Sequence, residues 1–272
     1  MVKGVPPLVG SKEGWRFGLQ NRHLSAILLH MQKADLKNKN TDTLVEKMFR
    51  VGAHYGYSKT RRHPSVSKYI YATKNKTDII DLEKTSLALE NASEFVKKLA
   101  VAGKVILFVG TKPEAREVIK NVAESLDMPY VTERWIGGTI SNFGEIKKRI
   151  TELENYQKDS KEGGLDKYTK KERVVMAKKM EKLARYYTGL LGLKKAPDAL
   201  LVIDARAEHI ATTEAKDRDI PVISLVNSDS NIKGIEYPIV GNDSSIPSIR
   251  FFTTHLTDAF KASQNSIPVK EA

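Results

Sequence analysis

The 272-residue chain reads as an α/β protein: a parallel sheet of about five strands with helices on both faces, plus an inserted antiparallel coiled-coil helical hairpin. Two observations point there. Short unbroken apolar runs, Val105-Ile106-Leu107-Phe108-Val109 and Leu200-Leu201-Val202-Ile203 being the clearest, alternate with helical patterns. A run apolar on both faces suits a strand covered from both sides. Between those two runs, residues 143–190 change to two seams with heptad steps, as in helices that pack on each other.

Residues 1–43 carry no sustained apolar period and contain the polar run Lys37-Asn38-Lys39-Asn40. Such a stretch buries too little surface to offset its ordering and is expected to be a disordered extension. Its acid-poor composition would suit an organellar transit peptide, but two arginines and two serines are few for one. A short helix starts at Leu44 and stops at Gly52. Residues 53–76 then hold Lys59, Arg61, Arg62, Lys68, Lys74 and Lys76 among His54, Tyr55, Tyr57, His63, Tyr69 and Tyr71. Cations neutralise phosphates and flat rings stack on bases, so this stretch is a candidate RNA surface. The competing reading makes Tyr69 and Tyr71 strand residues, with lysines keeping a sheet edge soluble. His54 and His63 have no nearby carboxylate and poor spacing for a metal.

Ile79-Ile80-Asp81-Leu82 leads into a helix from Glu83 to about Ala102, with Leu87, Leu89, Ala92, Phe95, Val96 and Leu99 on its buried side. After the strand at 105–109, Gly110-Thr111-Lys112 breaks the chain and Pro113 opens a helix, where its missing N–H costs nothing. Ala115, Val118, Ile119, Val122 and Leu126 mark that helix, and Tyr130-Val131-Thr132 the next strand, completing a βαβ unit. It ends in Arg134-Trp135-Ile136-Gly137-Gly138-Thr139-Ile140-Ser141-Asn142, with Trp135 read as a buried anchor or an RNA-stacking ring. Phe143, Ile146, Ile150 and Leu153 form one seam, and Met176, Met180, Leu183, Tyr187 and Leu190 the other. Gly163-Gly164 supplies the turn, and Thr169-Lys170-Lys171-Glu172 is a capping-box pattern. Helices of about 18–22 residues would extend about 27–33 Å at 1.5 Å per residue, projecting from the body.

The sheet resumes at 200–204, followed by a helix over about 208–217, a strand at 222–226 and a short edge strand at 237–240, where Pro238 cannot donate to a ladder. A closing helix spans about 244–260 and leaves a tail over 263–272. The domains expected are thus a body over 44–139 and 192–262, interrupted by a hairpin over 140–191.

The chain has a net charge of +12 and no cysteine. Thiol chemistry and disulfides are excluded, and a reducing compartment is expected. The charge is localised: residues 1–43 carry +4, residues 54–76 carry +6 and residues 140–191 carry +5, leaving −3 for the rest. Basic appendages on a near-neutral body suit a polyanionic partner. Gly110-Thr111-Lys112 lacks the second glycine of a phosphate loop, so no nucleotide cofactor is expected, and no metal. Asp204 at a strand end, with Glu208 and His209, could be an acid–base site, or Asp204 could accept N–H groups of its own turn.

Phe108-Val109-Gly110-Thr111-Lys112 and Arg134-Trp135-Ile136-Gly137-Gly138 together resemble the signature of the small-subunit ribosomal protein S2 family. Three further motifs agree in order: Asn75 to Thr85; Pro197 to Asp204 with Glu208-His209-Ile210-Ala211; and Gly241-Asn242-Asp243. The chain departs from that family at Tyr57, Arg62 and His63-Pro64-Ser65-Val66, where the family has a second histidine, a tryptophan and an Asn-Pro-Lys-Met run. The resemblance implies a flavodoxin-like body and a structural, non-enzymatic role on a cytoplasmic or organellar ribosome. The partners implied are small-subunit rRNA and neighbouring proteins, among them the large RNA-capturing protein of the bacterial subunit. A flavodoxin-like enzyme or nucleotide sensor with a basic surface is the alternative. Candidate RNA contacts are Lys59, Arg61, Arg62, Lys68, Lys74, Lys76, Arg134, Lys147, Lys148 and Arg149. Val174, Val175 and Leu191 exceed what one partner helix covers and form a candidate protein-docking face, unless the two valines close over Leu165.

Overall fold

The computed structural model describes residues 44–165 and 168–264. The expectations for residues 1–43 and for the tail beyond Gln264 lie outside the described residues. From Val45 onward the chain forms one unit.

A helix over 44–50 (α1) ends at Gly52, whose φ of 72° is the left-handed stop. Three short strands follow: β1 (Tyr55–Ser58), β2 (Ile70–Lys74) and β3 (Thr77–Ile80). They form an antiparallel sheet in the order β1-β3-β2, separate from the parallel one. Asn75 and Lys76 both have positive φ, the geometry of a two-residue hairpin loop between β2 and β3. The Ile79-Ile80 strand therefore belongs to this small sheet and not to the parallel one.

Asp81 caps α2 (Leu82–Val101) by accepting from Glu83 N and Lys84 N. Leu89, Ala92, Val96 and Leu99 are buried on α2, whereas Leu87 is exposed, a correction to its expected burial. Phe95 is partly exposed and stacks on Tyr237 at 4.3 Å. The parallel sheet comprises β4 (Ile106–Val109), β5 (Tyr130–Val131), β6 (Ala199–Ile203), β7 (Val222–Val226) and β8 (Tyr237–Val240). Its order, β5-β4-β6-β7-β8, is the flavodoxin-like one, with the switch point between β4 and β6. Every residue of β4, β6 and β7 is buried, as double coverage requires.

On one face, α2 and α3 (Pro113–Glu124) pack on α7 (Ile246–Gln264). The other face carries α6 (His209–Lys216), α4 (Phe143–Glu162) and α5 (Lys170–Tyr187). Ile146, Ile150, Leu153, Met180 and Tyr187 share one apolar cluster with Leu107, Val109, Leu200 and Val202. The seam between α4 and α5 is thus continuous with the core over the sheet. Gly163, at φ 77°, ends α4, and Thr169 and Glu172 make both bonds of a capping box on α5.

Candidate nucleic-acid interface

The basic stretch follows the antiparallel sheet. Lys59, Lys74 and Lys76 gather at one end of it: Lys59 N donates to Lys76 O at 2.9 Å, and Lys74 lies opposite Thr77. All three are exposed. Lys68, also exposed, places its ammonium 5.1 Å from the Tyr69 ring centre, and Arg61 lies 4.8 Å over Tyr57. Tyr71 sits on edge strand β2 and is 80% exposed.

Arg62 is different. Its Nε donates to Asp78 Oδ2 at 2.7 Å and its Nη2 to Asp78 Oδ1, while Nη2 also reaches Thr73 Oγ1 at 2.7 Å. Asp78 has no exposed side-chain surface. The Arg62 hydrogen bonds, opposed by burial and helped by Thr73, hold that carboxyl below its ordinary value. A fork so engaged has little left for a phosphate. Arg62 is therefore a structural cation, and the RNA contact expected of it is withdrawn.

His54 stacks on Phe49 at 4.4 Å and meets the Tyr55 ring, tilted, at 4.0 Å, while His63 Nδ1 bonds Ser65 Oγ at 2.7 Å. The two histidines take part in different local structures.

The motifs that were scattered in sequence meet at the carboxyl ends of β4, β6, β7 and β8. Lys112 reaches Asp204 Oδ2 at 2.7 Å and Asp243 Oδ2 at 2.8 Å. Burial opposes the charge on Lys112, but attraction and hydrogen bonds from Asp243 and Asp204 win, raising its pKa above the ordinary lysine value. Asp243 is fully buried and accepts also from Asn227 Nδ2 at 2.9 Å and Ser244 Oγ at 3.1 Å. Ser244 Oγ is 2.7 Å from the Tyr57 hydroxyl, and Tyr57 N donates to Ser228 Oγ at 2.8 Å. Asp204, in the left-handed region at φ 65°, accepts from Arg206 N and Ala207 N, as its turn-holding reading required. Glu208 accepts from Thr111 N at 3.2 Å and from its hydroxyl; burial raises its pKa more than those bonds lower it. His209 is exposed and opens α6. In related α/β folds ligands bind at this switch point. Here side chains of the chain fill it, and β1 is tied across it.

Glu214 organises the other motif. It accepts from Trp135 Nε1 at 3.3 Å, Gly138 N at 2.7 Å, Ile140 N at 3.1 Å and Ser141 N at 3.2 Å. Burial pushes this carboxyl up, but those donors hold it below its ordinary value. Gly138 turns the loop around the carboxylate at φ 91°, a conformation that favours glycine. Trp135 is buried in the core cluster, which settles its role as an anchor. Neighbouring Arg134 is exposed. Nothing in the sequence marked Glu214, because its donors, mostly backbone N–H groups, are distant along the chain.

On α4, Lys147, Lys148 and Arg149 are all exposed. Lys148 bonds Glu145 at 2.6 Å and Arg149 bonds Glu152 at 3.2 Å, exposed pairs of small energetic weight. On α5, Val174 and Val175 are 50% and 61% exposed. Leu191, beyond α5, is packed against the core cluster, so it does not join the two valines in one exposed face. Leu165 is partly buried, yet it leaves both valines open.

Comparisons with known proteins agree with this geometry. The chain is 38% identical over 215 residues to the small ribosomal subunit protein uS2 of Salinibacter ruber, covering 79% of this chain and 67% of that protein. It is 39% identical over 215 residues to the protein of the same name from Helicobacter hepaticus, covering 79% and 81%. A family model, ribosomal protein S2, matches residues 48–263, and it takes in both sheets and the buried cluster that ties them, so the chain belongs to the ribosomal protein S2 family.

Proposed function

We propose that this protein is a structural constituent of the small ribosomal subunit, binding small-subunit rRNA and neighbouring ribosomal proteins in translation without catalysing a reaction. The observation that carries this reading is how charge is sorted. The carboxylates at the carboxyl edge of the parallel sheet are turned inward and spent on Lys112, Thr111 and backbone N–H groups. The cations at Lys59, Lys68, Lys74, Lys76, Arg134 and Lys147 face outward. An enzyme or nucleotide sensor would need the reverse at that edge. The name borne by both relatives, small ribosomal subunit protein, supports the same reading.

In this reading the protein is ribosome-bound and cytoplasmic, and residues 140–191 form a hairpin module on the body. Its α4 cations meet rRNA, and the exposed Val174–Val175 surface meets a protein neighbour, for which the large RNA-capturing protein of the bacterial subunit is the candidate. Sedimentation with purified small subunits is the test. The protein should travel with the subunit at low salt and be released as salt rises, because its phosphate contacts exchange with counterions. Failure to travel with the subunit at about 50 mM salt would sink the proposal.

A further inference from the structure

A cleft of about 690 Å³ opens beside the carboxyl ends of β6 and β7, and Arg61, Arg206, Lys216 and Lys233 all line it. These four cations come from four separate segments: the turn after β1, the loop after β6, the end of α6 and the loop before β8. Two are held by one carboxylate. Asp229, its side chain only 6% exposed, lies 2.6 Å from Arg206 Nη1 and 3.9 Å from Arg61 Nη2, and both arginine side chains stay more than half exposed on the rim. Lys216 lies along the backbone at Gly234: a Cβ there would sit 3.5 Å from its Nζ. Lys216 and Lys233 have no carboxylate within ion-pair distance among the described residues. Asp217 is the one other acid on the lining, and Arg62, also there, is already neutralised by Asp78.

We infer that this cleft seats phosphates of the rRNA backbone, with Arg206, Lys216, Lys233 and Arg61 as the contacting groups and Asp229 as the group that positions the two arginines. The inference rests on the rRNA-binding reading above and names where on the surface it acts. Cleft volume alone would also suit a free nucleotide, the other source of phosphate. The lining argues for the backbone: small-molecule sites are mostly apolar, whereas cations, threonine hydroxyls and an asparagine are the groups that position a phosphate chain.

The test uses the full chain and small subunits lacking this protein, with affinity measured from about 50 to 200 mM salt. Lys216→Ala with Lys233→Ala removes two cations that hold no ion pair, and a matched melting temperature checks folding. Binding should weaken at every salt concentration, and the slope of log affinity against log salt should flatten by about two, about one per phosphate contact. Arg206→Ala, made separately, should flatten it by about one. Slopes unchanged in both variants, with the wild type still binding the subunits steeply, would overturn the cleft and leave the ribosomal reading standing. A wild type that does not bind those subunits would overturn both. Tight ADP binding that the double variant abolishes, with the slope for subunit binding unchanged, would assign the cleft to a nucleotide and overturn the RNA seat.

Discussion

Arg62→Ala is expected to cost stability and to leave the salt dependence of RNA binding alone. The substitution strands Asp78, which has no exposed side-chain surface, with Thr73 Oγ1 as its remaining side-chain donor at 2.9 Å. Breaking a buried pair by removing one partner costs about 3 kcal/mol at the low end, the end that applies here because the guanidinium keeps partial contact with water. The pH dependence follows from the lowered pKa of Asp78. A carboxyl depressed in the folded state contributes stability that is complete above its ordinary value of 3.8 and disappears as pH falls through the depressed one. Denaturant titrations should therefore show a wide gap between wild type and variant at neutral pH that closes in acid. A constant gap down to pH values below that range would assign the loss to packing of the arginine stem. The charge of Arg62 was readable in the sequence, but its partner was not. Within 54–76 no acid exists, and Asp78 lies just past that window on the neighbouring strand. A count over a window sees six equal cations; the fold spends one of them indoors.

At the scale of elements, helices were the readable part because their burial repeats with the turn. Ala115, Val118 and Ile119 on α3, and Ile146, Ile150 and Leu153 on α4, are buried as the spacing required. The antiparallel sheet was readable only in part: one reading made Tyr71 an edge-strand residue, which it is, but β1 and the pairing order were missed. Both β1 and β2 are edges, β1 mostly half-buried and β2 mostly exposed, so neither shows the alternation that marks a half-buried strand. The turn between β2 and β3 is Asn75-Lys76, without the glycine that advertises a hairpin. On α5 the sequence showed surplus apolar residues, and the structure leaves Val174 and Val175 open to solvent while Met180 and Tyr187 fill the seam. Val175→Glu should then leave the free energy of unfolding within about 0.5 kcal/mol of wild type, as for a surface change. It should also leave rRNA affinity intact while releasing a protein neighbour from reconstituted subunits, which quantitative mass spectrometry of the subunit would read. A full protein complement in the variant subunit would end the partner-docking idea. A fall in stability of several kcal/mol would instead place Val175 in a packed contact.

At the scale of the whole molecule, the cluster around Lys112 joins the two sheets. The ammonium bridges the loops after β6 and β8 through Asp204 and Asp243, and Ser244 passes the connection to Tyr57 on β1. Asn242 adds two bonds to the corner before β1: its N donates to Ala53 O and its Nδ2 to Gly52 O, both at 3.0 Å. The sheet that displays Lys59, Lys74 and Lys76 is therefore held by groups at the edge of the other sheet. Lys112→Met removes the one cation from between two carboxylates, one of them fully buried, at a cost of about 3–5 kcal/mol. The loss should be uneven. Amides of β1 and β3 depend on that fastening, whereas β4, β6 and β7 are buried throughout and paired on both sides. Native-state hydrogen exchange should accelerate first in residues 55–80, as in a unit that opens below the global transition. Binding to rRNA should weaken in the same variant, though no exposed cation has been touched, because the lysines no longer hold one arrangement. If protection across 55–80 matches the wild type while the parallel sheet loses its own, the antiparallel sheet is held by its local contacts and the cluster serves the core alone.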